Sequence, residues 1–251
     1  ICPWCYIGQR EMERAIEMCK DSPIQVEIEY RPYKIYPSLK DGQFLEKRQW
    51  YESRFGREKV ETMESMAVAR AQQLGIQIKY LDGIITQTTL AHRLLLKAWK
   101  LGGQAKQQAL LTALFKGYFE CLINIGDTDA LADAAVTAKL MSREEAVKFL
   151  ESDECLDEVE TMMTEARRKG VNGVPFVVID GKWAVSGGQT AEVYTQVNML
   201  ERSIGSELRL IRFSPQIFRK LAQCEISTPQ PTPMPTASAA PPATGGVAVT
   251  A

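Results

Sequence analysis

The sequence predicts an α/β fold interrupted by an all-helical insertion, and three observations predict it. The first thirty residues read as a helix followed by a segment of period two. Helical periodicity then dominates from about Leu39 to Lys169. Beyond it the period changes again, to a β-branched apolar run and a second short run divided by a turn, before a last helix begins.

The first helix follows Cys2-Pro3-Trp4-Cys5-Tyr6-Ile7-Gly8. Met12, Ala15, Ile16 and Cys19 recur at i, i+3, i+4 and i+7, which makes one apolar stripe. Pro3 suits the first turn, where its missing N–H costs nothing. Asp21-Ser22-Pro23 ends the helix. Ile24 to Tyr30 alternates apolar and polar and reads as a strand, closed by Pro32, which cannot donate to a central ladder.

Some six or seven helices are expected between Leu39 and Lys169. Ala91, Leu94, Leu95 and Ala98 form one stripe, and Leu111, Leu114, Phe115, Tyr118 and Leu122 another. Gly75, Gly102-Gly103 and Gly126 punctuate the helices. Ser142 and Glu145 have capping-box spacing. Val174 to Ile179 is then a β-branched run, Asp180-Gly181 a two-residue hairpin turn, and Lys182 to Ser186 its partner strand. Gly187-Gly188 breaks the chain, and Thr190 to Ile204 reads as a final amphipathic helix. Beyond Glu225 there is no charge and Thr, Pro, Ala and Gly dominate, so the tail is expected to be disordered.

Ile1 in place of Met marks the chain as incomplete or processed, and a strand is expected ahead of Cys2. With it the order is βαβ, helical insertion, ββα. That is a thioredoxin fold with an inserted all-helical domain, its first strand missing from this chain. The expected boundaries are 1–38 and 166–206 for the two parts of the thioredoxin-like domain. The helical domain spans 39–165, and 207–251 form linker and tail.

Composition narrows the function. The 251 residues are 45% hydrophobic and 24% charged, with 30 Lys+Arg against 31 Asp+Glu. No apolar stretch approaches the roughly 18 residues needed to cross a bilayer, so no membrane association is expected. Charge balance without a long basic run argues against nucleic acid. Arg167-Arg168-Lys169 reads as a helix C-terminus complementing its dipole. Six cysteines are too few for a disulfide scaffold, and their sparseness points to a reducing, cytoplasmic setting.

Cys2 and Cys5 carry the chemistry. Two thiols at i and i+3 across a helix start can close a disulfide with little backbone movement. The orphan N–H groups and positive dipole end of the helix stabilise a thiolate on the first. Cys2 is the expected nucleophile, Cys5 the resolving thiol, and Trp4 a flat apolar face for a bound peptide. Half of a zinc site is the rival reading. It needs a second ligand pair, which Cys19, Cys121, Cys155 and Cys224 do not form, and no metal is expected.

Pro175 follows Val174 and a Gly-rich turn. Together with the CxxC it suggests a cis bond that turns the Val174 backbone toward an extended substrate. His92 lies on a stripe with Leu95, Leu96 and Trp99 and reads first as a satisfied core histidine, then as a titrating base. Cys19 and Cys121 read as small core hydrophobes. Cys155, among Asp153, Glu154, Asp157 and Glu158, reads as inert with a raised pKa. Tyr33 to Tyr36 reads equally well as a cleft wall or as buried-edge aromatics.

Four motifs in order, Cys2-Pro3-Trp4-Cys5-Tyr6-Ile7-Gly8, Leu90-Ala91-His92-Arg93-Leu94, Ile125-Gly126-Asp127 and Gly173-Val174-Pro175-Phe176, resemble DsbA-family proteins of the FrnE type. These are often named dithiol-disulfide isomerases. The resemblance covers about residues 1–204. It implies a disulfide oxidoreductase or isomerase with Cys2 and Cys5 as the redox pair and Pro175 as the cis-proline opposite them. No bound cofactor is implied, and glutathione is a candidate redox partner. The expected partners are disulfide-containing proteins or small thiols, and an oligomer is compatible. Related kappa-class glutathione transferases and 2-hydroxychromene-2-carboxylate isomerases typically have serine at the first cysteine and act on small molecules with glutathione.

Overall fold

A computed structural model describes residues 1–21, 26–40, 42–179 and 183–196, all within one compact unit. Helix α1 spans Pro3–Met18, with Pro3 at its first position and Cys2 at the N-cap in an extended conformation. The helix is buried on two sides. Tyr6 and Ile7 enter a large core shared with the helical insertion. Met12 and Ala15 pack with Ile28, Val177, Ala191 and Tyr194 in a second core. The predicted stripe is therefore real, and α1 is the joint between the two cores.

The expected strand after α1 is corrected. Ser22 to Gln25 fall outside the described residues, and Val26 to Tyr30 form no strand. The alternation placed Ile28 in the core correctly, at 1% exposure. Its backbone, however, is not paired with another strand. Gln104 Oε1 accepts the Ile28 N–H at 2.9 Å, and Gln107 Oε1 accepts that of Tyr30 at 2.7 Å. Gln107 Nε2 in turn donates to the Tyr30 carbonyl at 2.8 Å. Helix side chains thus satisfy groups that a sheet ladder would otherwise take.

Between residues 39 and 169 the helical reading holds, with α2 (Lys47–Phe55), α3 (Arg57–Gln73), α4 (Thr89–Glu120), α5 (Thr128–Thr137), α6 (Arg143–Glu151) and α7 (Leu156–Arg168). Helix α4 is kinked at the two glycines. Gly103 has φ +59°, and a Cβ on Gly102 would sit 2.4 Å from Lys106 Cγ. One position needs glycine for its backbone and the other for space. Ser142 and Glu145 form the predicted capping box, and Asp127 caps α5. Buried Arg93 donates to the carbonyls of Phe149 and Leu150 in the last turn of α6, of its C-cap Ser152, and of Glu154 beyond it.

Three details depart from expectation. Two three-residue strands, β1 (Phe44–Glu46) and β2 (Ile84–Thr86), pair antiparallel inside the insertion, with Leu45 opposite Ile85. They are too short to show a period. The second stripe stops at Tyr118, because α4 ends at Glu120 and Leu122 takes φ +59° to close the C-cap, with the Ile123 N–H reaching back to Gly117 O. That turn also leaves Cys121 exposed instead of in the core.

The C-terminal part returns to sheet. Strands β3 (Phe176–Ile179) and β4 (Trp183–Ser186) are antiparallel, with Phe176 opposite Ser186 and Ile179 opposite Trp183. The predicted turn at Asp180-Gly181 lies outside the described residues. A last helix, α8, is described over 191–196, and the rest of the predicted Thr190–Ile204 helix lies outside them. Among the described residues no helix is long and apolar enough to cross a membrane.

Candidate functional site

Cys2 sits where α1 begins. Its carbonyl accepts the N–H groups of Cys5 at 3.2 Å and Tyr6 at 3.4 Å, so the first turn is closed around it. Both thiols are free. The Cys2 thiol is held below its ordinary pKa, chiefly by a hydrogen bond from the Cys5 side chain. The backbone N–H groups of Cys5 and Trp4 assist, and burial opposes. Cys5 is pushed well above the usual thiol range by that same contact with Cys2 and by burial. The two sulfurs therefore differ in the direction the sequence order suggests, the outer one closer to thiolate and the inner one kept protonated.

The second half of the site comes from the far end of the chain. The Val174–Pro175 peptide is cis. The Cys2 thiol points at the Val174 carbonyl, with 3.7 Å between Sγ and O. Gly8 lies on the face of α1 that turns toward Pro175: a Cβ there would touch the ring in ordinary van der Waals contact, 3.7 Å from Pro175 Cγ. Past the hairpin, the Gly187 N–H donates to the Pro175 carbonyl at 3.0 Å, and the loop doubles back over α1.

An apolar cavity of about 120 Å³ opens beside the thiols. Of the residues proposed from sequence, Cys2, Cys5, Val174 and Pro175 line it. Trp4 does not. Its half-buried ring leans on the loop after β4, where a Cβ on Gly188 would come within 3.2 Å of it.

His92 also reaches this cavity. Its Nε2 is 3.0 Å from the Tyr33 carbonyl. A carbonyl only accepts, so Nε2 carries the proton and the other ring nitrogen keeps its lone pair. Burial, as the largest cause, pushes the imidazole down to about 4. It is thus a satisfied, neutral histidine placed at the site. Cys155 is buried and its pKa raised, but burial contributes more than Glu158 and Glu154, and Lys100 opposes.

Two residues of the site were not singled out from sequence. Gln9 is 2% exposed. Its Nε2 donates to Thr112 Oγ1 at 2.7 Å, while Oε1 is buried without a hydrogen-bond partner. The Tyr30 hydroxyl is buried and unpartnered as well. Both residues line the cavity. The available signal was Gln9's position at i+4 from Cys5 and i+7 from Cys2, a polar residue on the thiol-bearing face of α1.

Residues 1–197 match the model of the DsbA-like thioredoxin domain. Among solved structures, a probable DsbA oxidoreductase from Streptomyces coelicolor is 29% identical. Its TM-score is 0.72, with 85% of this chain and 90% of that one covered. A 2-hydroxychromene-2-carboxylate isomerase shares the fold at 15% identity and TM-score 0.55, covering 89% of this chain and 95% of its own. No curated protein matches the sequence.

Proposed function

The chain belongs to the DsbA-like thioredoxin family, and from that premise we propose that it is a thiol–disulfide oxidoreductase or isomerase working through Cys2 and Cys5. The observation that carries this reading is the split between the two thiols, Cys2 lowered and Cys5 raised, beside the Val174 carbonyl and cis-Pro175.

In the reductive direction the Cys2 thiolate attacks one sulfur of a substrate disulfide. The Cys2–substrate S–S bond forms, the substrate S–S bond breaks, and the first substrate thiol leaves as thiolate and takes a proton. Cys5 then loses its proton and attacks Cys2 Sγ. The Cys2–Cys5 disulfide forms, the mixed disulfide breaks, and the second substrate thiol departs. Two electrons have moved from protein to substrate, and the same steps in reverse describe an oxidant. The lowered pKa of Cys2 raises its thiolate fraction at neutral pH and, in the oxidative direction, makes it the better leaving group when the second substrate thiol closes the product disulfide.

The test is thiol alkylation across a glutathione redox series. A reversible two-electron transition that vanishes in Cys2→Ser, with a trapped mixed disulfide in Cys5→Ser, is the expected result. Full disulfide turnover by Cys2→Ser would overturn the proposal. A second reading, a glutathione-dependent transferase or isomerase, draws support from the apolar lining of the cavity beside the thiols. Conjugation or isomerisation that survives Cys5→Ser would favour it.

A further inference from the structure

The cavity has a chemistry of its own, which bears on what the thiols meet. Its walls are mostly hydrocarbon, with Met12, Leu95, Leu111, Leu114, Phe115 and Ile125 among them. No carboxylate lines it. Arg31 is its one lining side-chain cation among the described residues, and Glu29 holds that guanidinium at 2.9 and 3.0 Å; the Ile1 ammonium also lines it, with its pKa lowered by burial. His92 is neutral and its Nε2–H is already spent on Tyr33. A ligand carboxylate buried here would meet no unpaired side-chain cation and only an ammonium that burial already disfavours, which is unfavourable.

Two residues that line this cavity each carry a buried polar atom without a partner. Gln9 Oε1 can only accept, and the Tyr30 hydroxyl can donate or accept. A buried acceptor left unmade carries its full desolvation penalty, which a ligand N–H or O–H would relieve. Gln9 stands seven residues along α1 from Cys2, about 10 Å of helix rise. The group that meets it must therefore lie at the end of an apolar arm, away from the reacting sulfur.

Resting on the disulfide-exchange reading above, we propose that this site selects neutral, largely apolar disulfides whose apolar arm ends in a hydrogen-bond donor for Gln9, in preference to anionic ones such as glutathione disulfide. Gln9 is the specificity residue, and the walls supply the affinity.

The test compares three disulfides as substrates of the reduced protein: para-hydroxybiphenyl disulfide, the unsubstituted biphenyl disulfide, and glutathione disulfide. The expected order of kcat/KM is hydroxylated, then plain, then glutathione. The hydroxyl should be worth roughly tenfold, one hydrogen bond to a buried acceptor. Gln9→Met should erase that tenfold preference while plain biphenyl disulfide still reacts. Tyr30→Phe, the milder change, should reduce it. Turnover of glutathione disulfide as fast as the biphenyls, or a hydroxyl preference unchanged in Gln9→Met, would sink the idea.

If the wild type turns over none of the three, the disulfide-exchange reading fails instead. The cavity is then read by calorimetry on Cys2→Ser with para-hydroxybiphenyl and biphenyl. Tenfold tighter binding of the phenol supports the assignment, and equal or absent binding overturns it. Displacement of the phenol by an apolar peptide that also protects the Glu29 and Val177 amides from exchange would make the cavity a strand-docking slot. That result overturns it too.

Discussion

Glu11 Oε2 accepts the Ala191 N–H at 3.0 Å, joining the middle of the cysteine-bearing helix to the start of the last described helix across 180 residues of sequence. The carboxylate is fully buried, and Arg14 and Arg70 are its ion-pair partners. One acidic side chain thereby holds α1, α3 and α8 together. Glu11→Ala would leave a buried N–H without an acceptor and Arg70 without its partner. The expected loss is about 2–4 kcal/mol, trimmed from the fully buried case because Arg70 is partly exposed. Urea denaturation of the reduced protein measures it, and a loss below about 1 kcal/mol would show that the clamp is not stabilising.

The thiol asymmetry predicts selective alkylation. At mildly acidic pH iodoacetamide should modify Cys2 and leave Cys5, because only Cys2 is shifted toward thiolate. Removing Cys2 by Cys2→Ser takes away the largest influence on Cys5, so its pKa should fall. Peptide mass mapping of the alkylated sites against pH reads both outcomes. Equal labelling of the two sulfurs would refute the asymmetry.

Lys47 is 3% exposed, its Nζ has no hydrogen-bond partner, and it rests 4.3 Å from the centre of the Tyr118 ring. Burial brings its pKa down to about 8 from 10.5. Between those values the unfolded chain binds more protons than the folded one, so stability rises with pH from about 8 to 10.5 and is lowest below 8. Lys47→Met removes that dependence and should stabilise the protein at pH 7 by on the order of 2–3 kcal/mol. Parallel melting curves for both proteins across that pH range would contradict the prediction.

His92 shows the opposite end of the scale. It is the chain's one histidine, and its pKa is pushed to about 4 from 6.5. The unfolded state takes up the proton first, so stability declines as pH falls from 6.5 toward 4. The ring resonances should stay in their neutral positions by NMR from pH 8 down to about 5. A midpoint near 6.5 would place the ring in solvent.

Much of the fold was legible because its signals are local. The stripe Met12, Ala15, Cys19 follows from helix periodicity, the Ser142–Glu145 box from cap chemistry, and the β3–β4 pairing from a β-branched run and a second short run either side of Asp180-Gly181. The CxxC is local as well: two thiols one turn apart at a helix start meet each other, and that contact is the largest cause of their difference. The cis-Pro175 partner was inferred from element order, and it does lie beside Cys2.

What tertiary structure decided involves partners far apart in sequence, on which periodicity carries no information. Val26 to Tyr30 shows a strand's alternation, yet Gln104 and Gln107, 76 and 77 residues away, take its backbone groups. Trp4 was read as a substrate face, and the loop at Gly188 occupies that ring. Cys121 was assigned to the core, and the turn at Leu122 leaves it outside. Gln9 and Tyr30 matter only because docking placed both beside one cavity and left a buried polar atom of each without a partner. Local sequence determined which groups could react. The packing of distant segments decided which of them share a pocket, since burial and unmet hydrogen bonds belong to neighbourhoods and not to residues.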